Sequence, residues 1–382
     1  MLAVNNIPLC LVFYILPTIS AVSAISGFGR LNYELVWLVV LPLLILLIRK
    51  HRLPSWSAKL LTIIAVFVSL KYIVPIFWTS KIVWRAWFLD FKWIYYLITA
   101  ILWIGLIGKI KPTILYRYGR NFAIFYIIYV LCRIVINGHF SRDCSNLLDE
   151  NNYDCFLLLI PFCFIETEKI SKYDYFIFII AVLLSTSKTG AFSLFSLLLY
   201  KYLRTSKHKA IILSALPIGV TLWAYIFFVS RGINDLESID RAVFFLQFFE
   251  YIKNAPLPDI LFGIFPGSSM DTTYIPAFEW YVDNFQNKNN ITGCFPFYFH
   301  STYMRLIIIW GIPLITFIIC FLINKFNAVR QSALRNLLIL FALESISLSS
   351  LSLVNVSIIF FIVIINTILN EKNHIEKRLT NY

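Results

Sequence analysis

Residues 353–370 read LVNVSIIFFIVIINTILN, an apolar run without a single charged side chain. An α-helix needs roughly 20 such residues to cross a bilayer. Similar runs recur along the whole chain, and we interpret about twelve of them as transmembrane spans. They begin near Ile7, Tyr33, Leu60, Trp93, Phe122, Cys155, Tyr175, Ala191, Ala210, Ser301, Asn336 and Leu353.

The composition of the 382-residue chain agrees with this interpretation. Hydrophobic residues make up 59% of the chain, charged residues make up 14%, and the mean hydropathy is +0.77. Soluble domains have about 45–50% apolar and about 25% charged residues. The sequence therefore predicts an all-α, polytopic integral membrane protein, and it excludes a soluble enzyme, an extracellular disulfide scaffold and a disordered tail.

Basic residues predict the orientation of these spans. Of the 33 Lys and Arg, 20 fall in one set of alternating loops, 10 fall in the other set, and three lie inside spans. The positive-inside rule makes the first set cytoplasmic, together with both termini. The net charge of +13 is explained by this topology, so no nucleic-acid partner is expected.

The predicted organisation has four parts. Residues 1–230 form spans one to nine, residues 231–300 form one large periplasmic loop, residues 301–370 form spans ten to twelve, and residues 371–382 form a cytoplasmic tail. Two pairs of short runs, 175–186 with 191–203 and 336–348 with 353–370, are expected to be helical hairpins. If either pair were one long helix, the topology downstream would invert.

The large loop contains a predicted amphipathic helix from Ser238 to about Lys253. Ser238 or Asp240 can cap it, and residues 254–256 end it. Arg241 in its first turn either binds phosphate or forms a structural pair, and the residues alone leave both open. The apolar face is expected to lie in the membrane interface, and it consists of Phe244, Phe245, Phe248 and Ile252.

The rest of the loop is expected to be irregular. Residues 260–269 predict a short extended segment with glycine turns at Gly263 and Gly267. The aromatic residues that follow are expected to populate mainly an interfacial belt. They are Phe278, Trp280, Tyr281, Phe285, Phe295, Phe297, Tyr298 and Phe299.

Two polar side chains suggest chemistry. His300 stands where the long loop meets a span, so its imidazole either accepts a proton from a hydroxyl nucleophile or forms an interfacial hydrogen bond. Lys188, in the turn between the seventh and eighth spans, either binds an anion or reaches surface water. These residues suggest a cationic cluster at head-group depth, suited to a lipid diphosphate. Its members are Lys71, Arg133, Lys188, Arg241, His300 and Arg305, and Glu344 lies at similar depth.

Three motifs then occur in order along the chain. The first is Ser-x-Ser-Lys-Thr-Gly at residues 185–190, and the second is Asp-Arg at 240–241 followed by Leu-Phe-Gly-x-x-Pro-Gly at 261–267. The third is Phe-His-Ser-x-Tyr-x-Arg at 299–305 with Gly-Ile-Pro at 311–313. Together with the single large loop, they resemble the bacterial O-antigen polymerase and O-antigen ligase superfamily. The resemblance covers roughly residues 175–324 by motif and the whole chain by topology.

This resemblance implies a GT-C-like, membrane-embedded glycosyltransferase of the bacterial inner membrane that works without metal or other cofactor. It implies that Arg241 holds the diphosphate of an undecaprenyl-diphosphate-linked oligosaccharide and that His300 activates the acceptor hydroxyl. Lys188, where the family usually has arginine, and Arg305 are further diphosphate ligands. Asp240 and Glu344 are alternative candidates for a base or its partner.

Within the superfamily the polymerase is favoured, because the chain is short and aromatic and matches ligase-like sequences thinly. A ligase that transfers polysaccharide to lipid A-core is the alternative, and a flippase for lipid-linked oligosaccharide is the second. The expected partners are membrane lipid and the chain-length regulator and flippase of the same pathway. The absence of an Asp-x-Asp motif agrees with a metal-independent reaction.

Overall fold

The structure of the protein is a computed structural model, and it describes residues 4–28, 33–34, 36–48, 52–77, 82–165, 172–205, 207, 240–289, 293–329 and 332–379. Within these ranges the chain is helical and forms no strand, apart from one isolated bridge between Met270 and Cys294. The helices are α1 (Val4–Ile25), α2 (Val36–Ile48), α3 (Ser55–Phe77), α4 (Trp84–Ile107), α5 (Pro112–Asn137), α6 (Asn151–Phe162), α7 (Lys172–Leu184), α8 (Lys188–Thr205), α9 (Asp240–Asn254), α10 (Leu257–Phe262), α11 (Pro276–Asn289), α12 (Thr302–Trp310), α13 (Ile312–Ala328), α14 (Ser332–Ser347) and α15 (Val354–Leu379).

Four of the described helices, α1, α3, α4 and α5, are long and apolar enough to cross a membrane, and shorter apolar helices accompany them. The predicted all-helical class is confirmed, and the helices are consistent with a membrane protein. The count of twelve spans stays a prediction, because the run near Ala210 lies outside the described residues. The run that begins near Ser301 is divided into α12 and α13 at Gly311, whose φ is 80°.

Both predicted hairpins consist of two separate helices. Helices α7 and α8 meet at residues 185–187, where Thr186 adopts a left-handed φ of 55° that ends the helix. Helices α14 and α15 are separated by residues 348–353. The single long helix that would invert the downstream topology is therefore absent at both places.

Helix α6 lies at the centre of the main core. All 12 of its residues are buried, and it packs against α5, α7, α8, α14 and α15. Because 12 residues extend only about 18 Å, the helix is too short to cross a hydrocarbon layer of about 30 Å by itself. The apolar run that begins near Cys155 is therefore a core helix, apolar on all sides because protein surrounds it.

Helix α15 connects early parts of the chain through side-chain amides. Asn366 accepts a hydrogen bond from the backbone N–H of Ile110 at 3.0 Å and donates one to its carbonyl at 2.7 Å. Asn355 accepts from the Trp37 indole at 2.8 Å and donates to Asp149 at 3.1 Å. These bonds satisfy polar groups that would otherwise be buried without partners.

The outer segment has its own core, which corrects two sequence predictions. The apolar face of α9 does not lie free at an interface, because Phe244 packs edge-on against Phe278 at 5.8 Å and Phe278 stacks on Phe299 at 5.6 Å. Several expected belt residues are buried in this cluster, while Trp280 remains 64% exposed. The cluster includes Val243, Phe244, Phe248, Tyr251, Phe278, Val282, Phe295, Tyr298 and Phe299.

The segment after α9 also differs from prediction. Helix α9 ends at Asn254 as expected, but the extended segment predicted for residues 260–269 begins as helix, because residues 257–262 form the short helix α10. Pro256 and Pro258 explain the difference, since proline favours the φ angle of a first helical turn. The glycine turns at Gly263 and Gly267 are present, with φ values of 71° and 79°.

Candidate functional site

The segment that carries His300 is bound to the end of α14. The hydroxyl of Ser349 donates to the Phe299 carbonyl at 3.0 Å, and the hydroxyl of Ser301 donates to the Ser345 carbonyl at 3.0 Å. Thr302 donates to the Leu348 carbonyl through its backbone N–H at 3.0 Å and through its hydroxyl at 2.9 Å. Residues 299–302 thus satisfy carbonyl groups at and just beyond the end of a helix. We call them the strap.

His300 lies next to the first turns of α9. Its imidazole is half-buried and packs edge-on against the ring of Phe244 at 4.8 Å between centroids. Phe244 follows Arg241 by three residues, so both side chains lie on one face of α9. The half-buried Arg241 and His300 therefore border the same region, with an aromatic ring fixing the plane of the imidazole.

Arg305, one turn into α12, is buried and paired. Its Nη2 lies 3.7 Å from Oδ1 of Asp90 on α4 and 3.4 Å from the Leu89 carbonyl, and its Nη1 donates to the hydroxyl of Ser352. Asp90 also accepts the backbone N–H of Gly267 at 3.3 Å. One buried ion pair therefore connects α4, α12, the outer segment and the loop before α15.

Tyr153 is influenced electrostatically by both arginines. It lies in the first turn of α6, and its phenol is within electrostatic range of both Arg241 and Arg305 and beside the backbone N–H of Ser349. The carboxylate of Asp154 holds the preceding turn, because it accepts backbone N–H groups of residues 147–149 at 2.7 to 3.3 Å. The phenol of Tyr153 therefore projects from a helix start whose preceding turn is held in place by Asp154.

A small cleft opens beside this group. Its lining includes the Asp90–Arg305 pair and the hydroxyl groups of Thr302 and Ser352, with Trp93 and Leu351 as apolar walls. Its volume is about 10 Å³, which is room for about one water molecule. Arg241 and His300 are not among its lining residues, so the chemistry considered for them does not depend on this cleft.

Lys188 is exposed at the start of α8. Its neighbour Thr189 shares a hydrogen bond of 2.7 Å with the hydroxyl of Ser347, so the start of α8 lies at the same end of α14 as the strap. The other motif residues have structural roles: the Ser187 hydroxyl accepts the Gly190 N–H at 3.0 Å and caps α8. A Cβ on Gly190 would lie 2.1 Å from the sulfur of Cys155.

The structure divides the predicted cationic cluster. Lys71 donates to carbonyls at the end of α10, and Arg133 donates to the Ala24 carbonyl at 3.0 Å. These two cations therefore bind backbone oxygens apart from the strap, whereas His300 contacts Phe244 and the two arginines lie within electrostatic range of Tyr153. The sequence could not separate the two groups, because it gives depth along each helix but not the helix neighbours.

Of the two carboxylates considered as a base or its partner, the structure describes the side chain of Glu344 only. The side chain of Asp240 lies outside the described residues. Glu344 is fully buried and lies beside Ser193 of α8 and Cys155 of α6, and within the described part of the chain neither carboxylate oxygen has a hydrogen-bond partner. Its neighbour Ser345 is one of the residues that bind the strap, whereas Glu344 is buried against α6 and α8 in the core of the bundle.

Asp90 is the site residue that sequence analysis missed. We placed the start of the fourth span near Trp93, which assigned Asp90 to a loop, whereas the helix begins at Trp84. A usable signal existed, because Asp90 stands within the aromatic run Ala86–Trp93. A carboxylate in such a run needs a cationic or N–H partner.

Two other groups of the outer segment are unsuited to nucleophilic chemistry. Burial raises the pKa of the Cys294 thiol, so it stays protonated and unreactive. Burial also raises the pKa of Tyr274 to about 12. Among the described residues, no group of three or more His, Cys, Asp or Glu is placed to hold a metal ion.

Comparisons of the chain with protein-family models, with curated proteins and with solved structures find no match. The functional interpretation therefore depends on the three sequence motifs and on the geometry around Tyr153.

Proposed function

We propose that the protein is a membrane-embedded glycosyltransferase that joins undecaprenyl-diphosphate-linked oligosaccharide repeat units into an O-antigen or capsular polysaccharide. The observation that carries the proposal is that His300 packs against Phe244, which shares a face of α9 with Arg241, while Arg241 and Arg305 both lie within electrostatic range of Tyr153. Two guanidinium groups at the edge of an apolar bundle suit a lipid that carries a diphosphate between its sugar and its polyprenyl chain.

The two arginines would contribute differently. Arg305 is already paired with Asp90, so it adds hydrogen-bond donors more than net charge. Arg241 is half-buried at the start of α9 and is the residue that the Asp-Arg motif assigns to the diphosphate, so we propose that it neutralises the leaving group. Charge neutralisation and positioning are the main demands of this reaction, because the diphosphate is a good leaving group.

His300 would act on the acceptor. In the proposed step the acceptor hydroxyl oxygen bonds to the anomeric carbon of the donor sugar while the bond from that carbon to the diphosphate oxygen breaks. The hydroxyl proton passes to the imidazole, and the diphosphate leaves with the electron pair of the broken bond. General-base catalysis of this kind requires a base within hydrogen-bond reach of the hydroxyl.

The proposed setting is the periplasmic face of the bacterial inner membrane. The substrate is the lipid-linked oligosaccharide itself, and the chain-length regulator and flippase of the same pathway are the proposed protein partners. Neither a metal ion nor another cofactor is part of the proposed reaction.

A deletion strain tests the pathway step. Surface polysaccharide is separated on gels and stained, and a polymerase deletion should leave one repeat unit attached to the lipid A-core. Loss of every repeat from the core would indicate a ligase, and repeats trapped on the cytoplasmic side would indicate a flippase. Complementation with the intact chain should restore the polymer ladder.

Purified protein tests the chemistry directly. The protein is reconstituted in lipid and given a synthetic undecaprenyl-diphosphate repeat, without added metal and with excess EDTA. Polymer and free undecaprenyl diphosphate should appear together. A requirement for added lipid A-core before any transfer occurs would reject the polymerase in favour of the ligase.

A further inference from the structure

Helix α10 packs against the break between α12 and α13. The two backbones approach so closely that a Cβ on Gly263 would lie 2.2 Å from the Ile309 carbonyl oxygen, and a Cβ on Gly311 would meet α10 at the same distance. The N–H of Ile264 donates to the Ile308 carbonyl at 2.9 Å. The contact involves Ile308, Ile309 and Gly311, which follow the start of α12 at Thr302 by about 9–13 Å along the helix axis.

Lys71 of α3 binds the same segment from another side. Its ammonium donates to the carbonyls of Phe262 at 2.8 Å and Gly263 at 3.2 Å, which are among the unsatisfied acceptors at the end of α10. The ammonium also lies 5.6 Å from the centroid of the Phe265 ring, and Asp259 is near enough to attract it. The lysine within an apolar span therefore has its partners 191 residues away.

The position of this contact along α3 places it at membrane depth. Helix α3 has 23 residues, and a helix of that size is about 35 Å long, little more than the hydrocarbon thickness of about 30 Å. Lys71 is six residues before the helix end at Phe77, about 9 Å from it. The ring of Trp310, at the end of α12, packs against Phe67 at 6.1 Å and Tyr72 at 6.0 Å.

Several polar groups of the backbone at this depth have partners within the protein. Gly263 donates to the Asp259 carbonyl at 2.9 Å, Ile264 donates to α12, and Lys71 binds the carbonyls of Phe262 and Gly263. Irregular backbone is tolerated at membrane depth only where it finds such partners within the protein, and these bonds supply them at the turn after α10.

The outward side chains of the segment are apolar. Leu257 and Phe262 are 66% and 72% exposed. The neighbouring helices α3 and α13 also expose large apolar side chains, which include Leu70, Ile73, Phe77, Ile312 and Phe317. Exposed apolar surface of this extent marks contact with a membrane or a partner, and the position of the segment beside α3, a helix long and apolar enough to cross a membrane, favours lipid.

We propose that residues 257–265 form a re-entrant segment whose exposed apolar side chains contact the acyl chains of membrane lipids, with Lys71 holding the carbonyl oxygens at its tip. This part of the chain then belongs to the membrane and not to the water-exposed outer segment. The proposal does not depend on the glycosyltransferase reaction, so each can fail without the other.

Spin-label accessibility tests the depth of the segment. Nitroxides are attached at Leu257→Cys and Phe262→Cys in full-length protein whose exposed Cys132 and Cys320 are replaced by serine. The protein is reconstituted in phosphatidylethanolamine and phosphatidylglycerol vesicles. Collisions with oxygen, which concentrates in lipid, are compared with collisions with a water-soluble nickel chelate.

Two positions calibrate the measurement. Phe317→Cys on α13 supplies the lipid-facing reference, and Glu279→Cys, exposed on α11, supplies the water-facing reference. Labels at residues 257 and 262 should match the residue 317 label, with oxygen collisions dominant. Nickel collisions equal to those at residue 279 would overturn the proposal, and protection from both reagents would show that protein covers the segment instead of lipid.

The role of Lys71 is tested by substitution. Lys71→Met removes the donor, so nickel collisions at residue 262 should rise toward the value at residue 279, whereas Lys71→Arg should leave them low. Lys59→Met, an exposed lysine on the same helix, is the matched control. An unchanged depth in Lys71→Met would reject the anchoring role, and if that variant fails to fold, the unsubstituted chain and Lys71→Arg still decide the depth.

Discussion

Asp90 and Arg305 form an ion pair in which the side-chain exposures are 0% and 8%, and the nearest nitrogen and oxygen atoms are 3.7 Å apart. The pair joins a long apolar helix to the helix that follows the strap. Because both groups are removed from water, removal of one leaves a buried charge without its partner, which costs more than the pair contributes.

Asp90→Asn should therefore destabilise the protein strongly. The amide keeps an acceptor for Gly267 but leaves the guanidinium uncompensated, and we expect a loss of about 3–5 kcal/mol in the free energy of unfolding. The measurement is denaturant or thermal unfolding in lipid or mild detergent. Asp283→Asn, exposed on α11, should change stability little.

The double variant Asp90→Leu with Arg305→Met gives a second check on the same pair. It removes both charges, so it should be less destabilised than either single variant. Equal or additive losses would show that the two residues act separately.

Arg241→Ala should abolish polymer while leaving protein abundance unchanged. Arg241→Lys should retain part of the activity, because the charge survives but paired hydrogen bonding is lost. The assay is the length of surface polysaccharide on gels, with Arg85→Ala, an exposed arginine at the start of α4, as the control. Wild-type chain lengths in Arg241→Ala would remove this residue from the site.

Three substitutions at Lys188 test whether this side chain binds phosphate or only extends to water. If it replaces a family arginine as a phosphate ligand, Lys188→Arg should preserve or improve activity and Lys188→Ala should fail. If it only extends to water, Lys188→Gln should polymerise like the unsubstituted protein. The comparison is made with purified protein and the synthetic repeat unit.

His300→Ala and His300→Gln should both lower the turnover rate by about 10²–10⁴-fold if the imidazole takes the acceptor proton. Binding of the donor lipid should be nearly unchanged, because the arginines hold the diphosphate. His139→Ala, an exposed histidine outside the site, is the control. Substantial rescue by His300→Gln would indicate a positioning hydrogen bond, since an amide is not a base at neutral pH.

Gly311→Ala should destabilise the protein far more than Gly108→Ala. Both glycines combine a positive φ with an extended ψ, 80° and 159° at Gly311 and 124° and 174° at Gly108, a region that alanine avoids at both positions. A Cβ at Gly311 would meet backbone at 2.2 Å, whereas Gly108 has open space. The difference between the two unfolding midpoints therefore measures the close approach of α10, and equal shifts would mean that α10 is not held there.

The sequence predicted local features better than it predicted neighbours. Helix positions and both hairpins followed from apolar runs and from breaks such as residues 185–187. The apolar face of α9 was identified correctly. The residues that pack against it were not, because Phe278 and Phe299 are distant in sequence. Asp90 was missed for a similar reason, since the partner that explains it is 215 positions further along the chain.

The hydrogen bonds made by the side-chain amides of Asn355 and Asn366 have a consequence for biogenesis. Helix α15 is synthesised after the other described helices. The indole of Trp37 and the backbone of Ile110 therefore lack their hydrogen-bond partners Asn355 and Asn366 until α15 has been made. A chain halted before α15 keeps these polar groups unsatisfied within an apolar bundle.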